Sequence, residues 1–352
     1  MSARHGTLSR MRPALKPGLL PVWRDRDTLQ IGIDPRRAVA LTGMRSAAAV
    51  LSLLDGSRDR GQVIAAAAVR GIQADAADRV ITLLTAAGTL CDFPSSTIAA
   101  VPDEARARLA AELATASLAH GDGDGGAHVL VRRQGAVIRV HGTGEVGSCI
   151  ASLLAASGIG HVVSVGPAAA GPPPRGPAPG DWPPPLAGLA APRRASGGKP
   201  PVTRSRAGKR PDLAVLVGSH DPEMASALVR DRIPHLAASA GEAIGVVGPL
   251  VVAGRSACLR CLDLTRSDRD PAWPLILAQM AGQQPDPLAC DAPLAAAVAA
   301  LAAAQAIAFI DRPAEPGATK NGTLELVLPD WQWRRRTWPP HRECGCGSLH
   351  PR

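Results

Sequence analysis

Two pairs of cysteines carry the strongest chemical signal in this chain of 352 residues: Cys258-Leu-Arg-Cys261 and, eighty-three residues further on, Cys344-Gly-Cys346. Two thiolates spaced by two residues can close around one cation. Four thiolates in two pairs complete the tetrahedron of a structural zinc ion and leave no position open for catalysis. The tighter CxC has a glycine at its centre, which allows the bend. A site built this way would staple the C-terminal tail to the body. His341 and His350 are near enough to replace one thiolate. Two other uses are open: a redox CxxC, disfavoured because Cys258 is not expected to open a helix directly after a core strand, and unpaired buried thiols. Cys91, Cys149 and Cys290 read as small buried residues, with a catalytic thiol among them as the alternative. Seven cysteines, an odd count, argue against a disulfide framework and for the cytoplasm.

The second signal is Gly142-Thr-Gly144-Glu-Val-Gly147, directly after the apolar run Val137 to His141. In such a motif the first glycine makes a tight turn and the second lets the backbone approach a phosphate. The third lets helix and strand pack closely, and the helix N-terminus faces the anion. A working dinucleotide site wants an acid about 20 residues on, at the end of the next strand. Ser164-Val165-Gly166-Pro167 stands there instead. The turn is therefore read either as a nucleotide cradle or as an inherited fold with a lapsed site. Asp221, in Ser219-His220-Asp221-Pro222-Glu223, follows another apolar run and sits where a carboxylate could hold Mg²⁺. Its other reading is a helix cap before proline. The tail Trp331-Gln-Trp333-Arg-Arg-Arg336-Thr-Trp338 mixes indoles and cations. Arg–Trp packing near a zinc staple is preferred over nucleic-acid stacking.

The elements that must position these residues follow from periodicity and turn signals. Over 15–95, strand-like runs at Leu20 to Arg24, Thr28 to Ile33 and Ala38 to Leu41 precede helices at Ser46 to Leu54, Arg60 to Val69 and Asp75 to Ala87, with a closing strand at Thr89 to Phe93. This order is winged-helix-like, after a flexible tail over 1–14. A helical connector and a glycine-rich joint cover 96–126. From 127 the pattern changes. A strand, the glycine turn, a helix over Val146 to Ser157 and a strand over His161 to Val165 form a βαβ unit. Strands at Asp212 to Gly218, Ile233 to Ala237, Gly245 to Val252 and Thr323 to Leu328 follow, with helices at Pro222 to Arg230 and Asp291 to Ile310. The latter is apolar but mostly alanine and reads as a buried helix, with no membrane partner implied. Met1 to Leu20 carries basic residues without an apolar core and does not read as a signal peptide.

The net charge of +9 is misleading as a clue to nucleic acid, because the segment 167–211 holds eight basic residues, one acid and thirteen prolines. That segment is expected to be a disordered linker. Basic and acidic residues nearly balance over 15–95, and Ser46 to Leu54 has no cation for a DNA-reading helix. Nucleic acid is thus an unfavoured partner.

Taken together, the glycine-rich βαβ, the later strand with Asp221 at its tip, the CxxC, the long helix and the terminal cysteine pair resemble the ThiF/MoeB and ubiquitin-activating (E1-like) superfamily. The stretch Gly248 to Cys261 is similar to that family's segment before its first cysteine pair, and Trp338-Pro-Pro-His-Arg-Glu-Cys-Gly-Cys346 looks like the branch associated with ribosomal-peptide cyclodehydratases. Leu53-Leu-Asp-Gly56 is similar to PqqD-like peptide-recognition domains. The resemblance covers roughly 15–95 and 127–346. It implies an α/β fold: a Rossmann-like ThiF-type domain over 127–346, with structural zinc on Cys258, Cys261, Cys344 and Cys346, interrupted by the linker, preceded by a small winged-helix-like α+β domain and followed by a tail over 347–352. It implies MgATP at Gly142, Gly144, Gly147 and Asp221, and adenylation of a peptide or small-protein carboxylate. Active members keep an acid after the second strand and add an Arg, an Asn and a Lys on the phosphates. Here the linker replaces that region. The reading favoured by these departures is a scaffold with a degenerate ATP site. It would bind a ribosomal leader peptide, dock a partner enzyme and form a homodimer as the family commonly does. An active adenylyltransferase is the alternative, and a winged-helix DNA-binding regulator the second alternative.

Overall fold

The computed structural model describes residues 11–45, 47–93, 95–142, 144–165, 209–218, 222–280, 288–314 and 317–347. The chain divides into two compact units between Val131 and Arg132.

In the first unit, β1 (Pro13–Leu15) is followed by the antiparallel meander β2 (Pro21–Trp23), β3 (Leu29–Ile31) and β4 (Val39–Leu41). Helices α1 (Ala47–Leu51), α2 (Arg60–Val69) and α3 (Ala74–Ala86) come next, then β5 (Leu90–Asp92), which returns to pair with β1. Pro13 and Ala14, expected in a flexible tail, are thus part of a strand. The pairing Leu15↔Leu90 is what holds them. Helix α2 starts where it does because of a capping box. The Asp59 carboxylate accepts from the Gln62 N–H at 2.9 Å, and the Gln62 side chain accepts from the Asp59 N–H at 3.0 Å. The buried stripe of α3 is Ala77, Val80, Ile81 and Leu84. It packs with Leu29, Ile31, Val50, Leu53 and Val63 into one core. The connector is two helices rather than one. After α4 (Ser96–Ala99), α5 (Asp103–Arg108) and α6 (Ala110–His120) meet at Leu109. The buried Lys16 closes α6, donating to the carbonyls of Ser117 and Gly121 at 3.4 and 3.3 Å, a cation at a helix C-terminus.

Helix α7 (Ala127–Gly135), which apolar periodicity did not announce, leads into the second unit. There β6 (Val137–His141), α8 (Glu145–Ala156), β7 (His161–Val165), β8 (Leu213–Val217), α9 (Pro222–Arg230), β9 (His235–Gly241) and β10 (Ile244–Val251) follow in chain order. They are succeeded by α10 (Leu259–Ser267), α11 (Trp273–Met280), α12 (Ala292–Asp311), β11 (Gly322–Val327) and β12 (Gln332–Thr337). The seven strands make one mixed sheet in the order β12-β11-β10-β9-β8-β6-β7. The β7-β6-β8-β9 part is parallel, and β10, β11 and β12 add antiparallel. The fold is α/β, with a mixed Rossmann-like sheet and a small α+β region before it.

Ile138 and Val140 of β6, with Leu213 and Val215 of β8, share a core with α8 and α12. The opposite side of β8, Ala214 and Leu216, packs on Ala225 and Leu228 of α9. Helix α12 lies close on β10 because Gly245 has no side chain. A Cβ there would come within 2.4 Å of Val298 Cγ2. Asp291 caps this helix, accepting from the Leu294 N–H at 2.9 Å. It is the one described helix long and apolar enough to cross a membrane, and Leu294, Val298, Ala302 and Ala306 are buried in the sheet-and-helix core. Strand β12 takes up part of the Trp/Arg tail, which had no strand signal. Its six residues are all exposed, so no alternation could mark it.

Candidate metal centre and glycine turn

The cysteine centre is assembled from three separate segments. Strand β10 ends at Val251, and the chain turns through a loop in which the Ser256 hydroxyl accepts from the Val252 N–H at 2.8 Å. Cys258 is then the N-cap residue of α10, and Cys261 lies in the first turn of that helix. Cys258 thus opens a helix, but seven residues after the core strand rather than directly after it. The redox reading is answered by the company Cys258 keeps. Its Sγ is 3.7 Å from that of Cys261 and 3.6 Å from that of Cys344, and Cys261 Sγ is 3.6 Å from Cys346 Sγ. All four sulfurs lie within 4.8 Å of one another. A tetrahedron of zinc–sulfur bonds of 2.3 Å has S···S edges of roughly 3.8 Å. The donor set therefore fits a closed structural zinc site.

Hydrogen bonding and burial shift three of these thiols in different directions. The Cys258 thiol hydrogen-bonds to Cys261 and holds it down to about 4. The same bond, with burial, pushes Cys258 up. Burial pushes Cys344 up to about 11. A divalent cation would bind all four as thiolates.

Neighbouring residues hold the two halves together. Asn321, at φ +52°, accepts from the Ala257 N–H at 2.7 Å through its side-chain oxygen. Its own carbonyl accepts from the Trp338 N–H at 2.9 Å. One residue thus grips the chain just before Cys258 and just before the terminal pair. Sequence reasoning missed it. The Asn321-Gly322 dipeptide, a strong turn signal, was the clue available. Trp338 is buried, donates its indole N–H to Thr323 Oγ1 at 2.9 Å, and lies under the guanidinium groups of Arg266 and Arg336 at 5.3 and 5.1 Å. Arg266 also covers Trp273 at 4.8 Å. Trp338 thus packs internally beside the centre, whereas Trp331 and Trp333 are exposed. His341 is not a ligand. Its Nε2 is bonded to Asp268 Oδ2 at 2.9 Å and its Nδ1 accepts from the Glu343 N–H at 3.2 Å. His350 lies outside the described residues.

The glycine turn forms at the end of β6, which has a parallel neighbour on each side, β7 and β8. The chain passes from β6 to β7 on one side and then to β8 on the other, and such a reversal of strand order opens a crevice over the carboxyl ends of the strands. Gly142 has φ +117°, and a Cβ there would be 2.6 Å from the Val217 carbonyl oxygen of β8. A Cβ on Gly147 would be 2.4 Å from the Gly142 carbonyl oxygen. Gly144, at φ +111°, is the N-cap of α8, with nothing within 4 Å of where its Cβ would stand. The three glycines therefore serve the tight turn, the close packing and the open approach that a phosphate cradle requires. The charge is another matter. The first helical residue is Glu145, a carboxylate at the end of the helix that would face the anion. Strand β7 ends in Ser164-Val165, both exposed, and supplies no acid for a ribose. The three glycines have the backbone that such a cradle needs, with Thr143 between them outside the described residues, and the charge of the described residues does not favour an anion. Asp221, Ser219 and His220 lie outside the described residues, as does the linker apart from 209–211.

The remaining thiols are not activated. Burial pushes Cys91 up to about 11, and it raises Cys149 and Cys290 as well, with Glu145 adding to both. A nucleophilic thiol needs the opposite shift.

No protein-family model matches the chain. No curated protein sequence matches it either. Solved structures do. The heterocyclase TruD superposes with a TM-score of 0.62 at 15% identity, over 96% of this chain and 43% of that one. Escherichia coli MccB, solved with AMPCPP and MccA, gives a TM-score of 0.62 at 15% identity, over 96% of this chain and 100% of MccB. A heterocyclase in complex with substrate and cofactor gives 0.62 at 14%, over 96% of this chain and 40% of that one. The likeness is one of fold. It extends over nearly the whole chain, and this chain spans less than half the length of either heterocyclase.

Proposed function

We propose that this protein is a peptide-binding and partner-docking scaffold in peptide modification, with an MccB-like fold whose ATP site has degenerated. The observation that carries the reading is Glu145 at the mouth of an otherwise well-formed glycine turn. It puts a carboxylate in the first turn of the helix whose N-terminus would face a phosphate. The fold supports the peptide half of the proposal, since the similar MccB was solved with the peptide MccA and the similar heterocyclase with a substrate. In the first unit the strand available to hold an extended peptide by edge addition is β4. No further strand pairs with it among the described residues, and Val39 and Leu41 are half-buried while Ala40 is exposed. The other edge, β2, begins with Pro21, which has no N–H to donate. The ligand would be a ribosomal precursor peptide or small protein and the docking partner a modifying enzyme, in a reducing cytoplasm that keeps the four thiols available to zinc. The PqqD-like character of the first unit and assembly as a homodimer are part of the same proposal.

The second reading, an active adenylyltransferase acting on a peptide carboxylate, is favoured by the intact backbone geometry of the turn and by the AMPCPP in MccB. It requires Asp221 to hold Mg²⁺. Titration calorimetry of the zinc-loaded protein with MgATP separates the two. The scaffold predicts no heat at millimolar nucleotide. Micromolar binding that disappears in Asp221→Ala would replace the scaffold with the enzyme.

A further inference from the structure

Structural zinc thiolates are ordinarily protected by being sealed in. Here a groove of about 570 Å³ runs beside the centre, with Ser226 of α9 on one wall and Leu277 of α11 on another, and Cys258, Cys344 and Cys346 all contribute to its lining. Cys261 does not line it and is fully buried. Three of the four cysteines therefore line the groove, Cys258 and Cys344 as buried residues and Cys346 as a half-buried one, and the fourth does not. Thiolate sulfur is the nucleophile in oxidation, and access decides which thiolate reacts.

We propose that the cysteine centre is a site of oxidative modification, at which hydrogen peroxide entering this groove joins Cys258 to Cys344 and expels the zinc ion. The pair follows from the geometry. Their sulfurs are 3.6 Å apart and both residues line the groove. Cys261 and Cys346 are equally close, but Cys261 is sealed off. In the first step one thiolate attacks peroxide, the O–O bond breaks, the sulfur becomes a sulfenic acid, and the departing hydroxide takes a solvent proton to become water. In the second the other thiolate attacks the sulfenic sulfur, the S–S bond forms, and a second hydroxide leaves and is protonated. Two thiolates lose two electrons in all, one peroxide gains them, and Zn²⁺ departs from the two ligands left. The new bond keeps the tail tied to α10 after the metal has gone, so a thiol reductant and zinc can restore the original state. The inference rests on the four cysteines holding zinc.

The test uses the full chain as purified, with zinc measured first. Hydrogen peroxide is added in the presence of a chromophoric zinc chelator, and the product is mapped by mass spectrometry. About one equivalent of zinc should be released, a Cys258–Cys344 cross-linked peptide should appear, and dithiothreitol with zinc should reverse both. Ser226→Trp narrows the groove from α9 without touching a ligand, and should slow release several-fold at unchanged zinc content. Leu277→Trp does the same from α11 if the first variant misfolds. Zinc retained through a peroxide dose that fully oxidises free glutathione overturns the proposal. So does release that leaves Cys346 as a sulfinic acid with no cross-link, and so does an unchanged rate in both tryptophan variants. Protein that carries no zinc as purified overturns the metal reading and this inference together, an outcome distinct from all the others.

Discussion

Glu145 and Asn321 do more to decide the behaviour of the two sites than their place in the sequence suggests. A carboxylate in the first turn stabilises its own helix and repels an anion there, each by about 0.3–1 kcal/mol in exposed positions. On the adenylyltransferase reading, in which the parent protein binds MgATP, replacing Glu145 by glycine should tighten that binding about twofold to fivefold, by the same 0.3–1 kcal/mol, measured by calorimetry beside the parent protein. No change would mean that the carboxylate is turned away from the phosphate position. Asn321 would act on a bound metal through the backbone that leads to each cysteine pair. Supporting residues of this kind typically cost about 10–100-fold in metal affinity when removed. Asn321→Ala should show a loss in that range in a competition titration with a zinc chelator. Asn321→Gly, which accommodates the positive φ, should show most of the same loss because the bond to the Ala257 N–H goes in both variants.

At the scale of elements, the helix expected over Arg60 to Val69 is α2, and the structure adds the capping box that starts it. The capping box on α2 involves residues three apart, and Asp59→Ala should cost about 1 kcal/mol while Asp59→Gly costs only a few tenths. Both are measurable by urea denaturation. The glycine turn between β6 and α8 was legible because its glycines, the strand before and the helix after lie within about twenty residues, so spacing carries the geometry. Elements whose cause is distant were not legible. Strand β1 exists because β5 pairs with it across the whole first unit. Strand β12 exists because β11 offers an edge, Gly322↔Thr337 to Val327↔Gln332, and its own exposed residues show no period. The start of α10 at Cys258 was not legible because its side chain makes no cap hydrogen bond and cysteine is a weak cap signal.

Across the second unit, one buried ion pair ties three helices. Arg133 of α7 donates to both carboxylate oxygens of Asp311 at the end of α12, at 2.9 and 2.7 Å, and to the Ser157 carbonyl just past α8 at 3.0 Å. Both side chains are more than nine-tenths buried. Breaking such a pair leaves an uncompensated charge in the core. Arg133→Leu should therefore destabilise this unit by about 3–5 kcal/mol, whereas Arg133→Leu with Asp311→Leu should recover much of the loss. Chemical denaturation of both variants checks the claim, and equal losses in the two would show that the hydrogen bonds to backbone, not the charge, were what mattered. The same unit shows why the zinc reading needed coordinates. Two cysteine pairs eighty-three residues apart are only a list of ligands until β10, α10 and the strand pair β11–β12 bring them together.

By itself the sequence determined the ligand types, the glycine turn with no acid after β7, the βαβ unit and the small α+β region before it. These depend on residues close together along the chain, where propensity and spacing act directly. The tertiary structure alone decided that the four sulfurs lie within 4.8 Å, that His341 is occupied by Asp268, that Arg133 meets Asp311, and that a groove reaches three of the four cysteines. Each of those is a contact between segments whose approach is set by sheet order and helix packing, and no local rule encodes a distance across the fold.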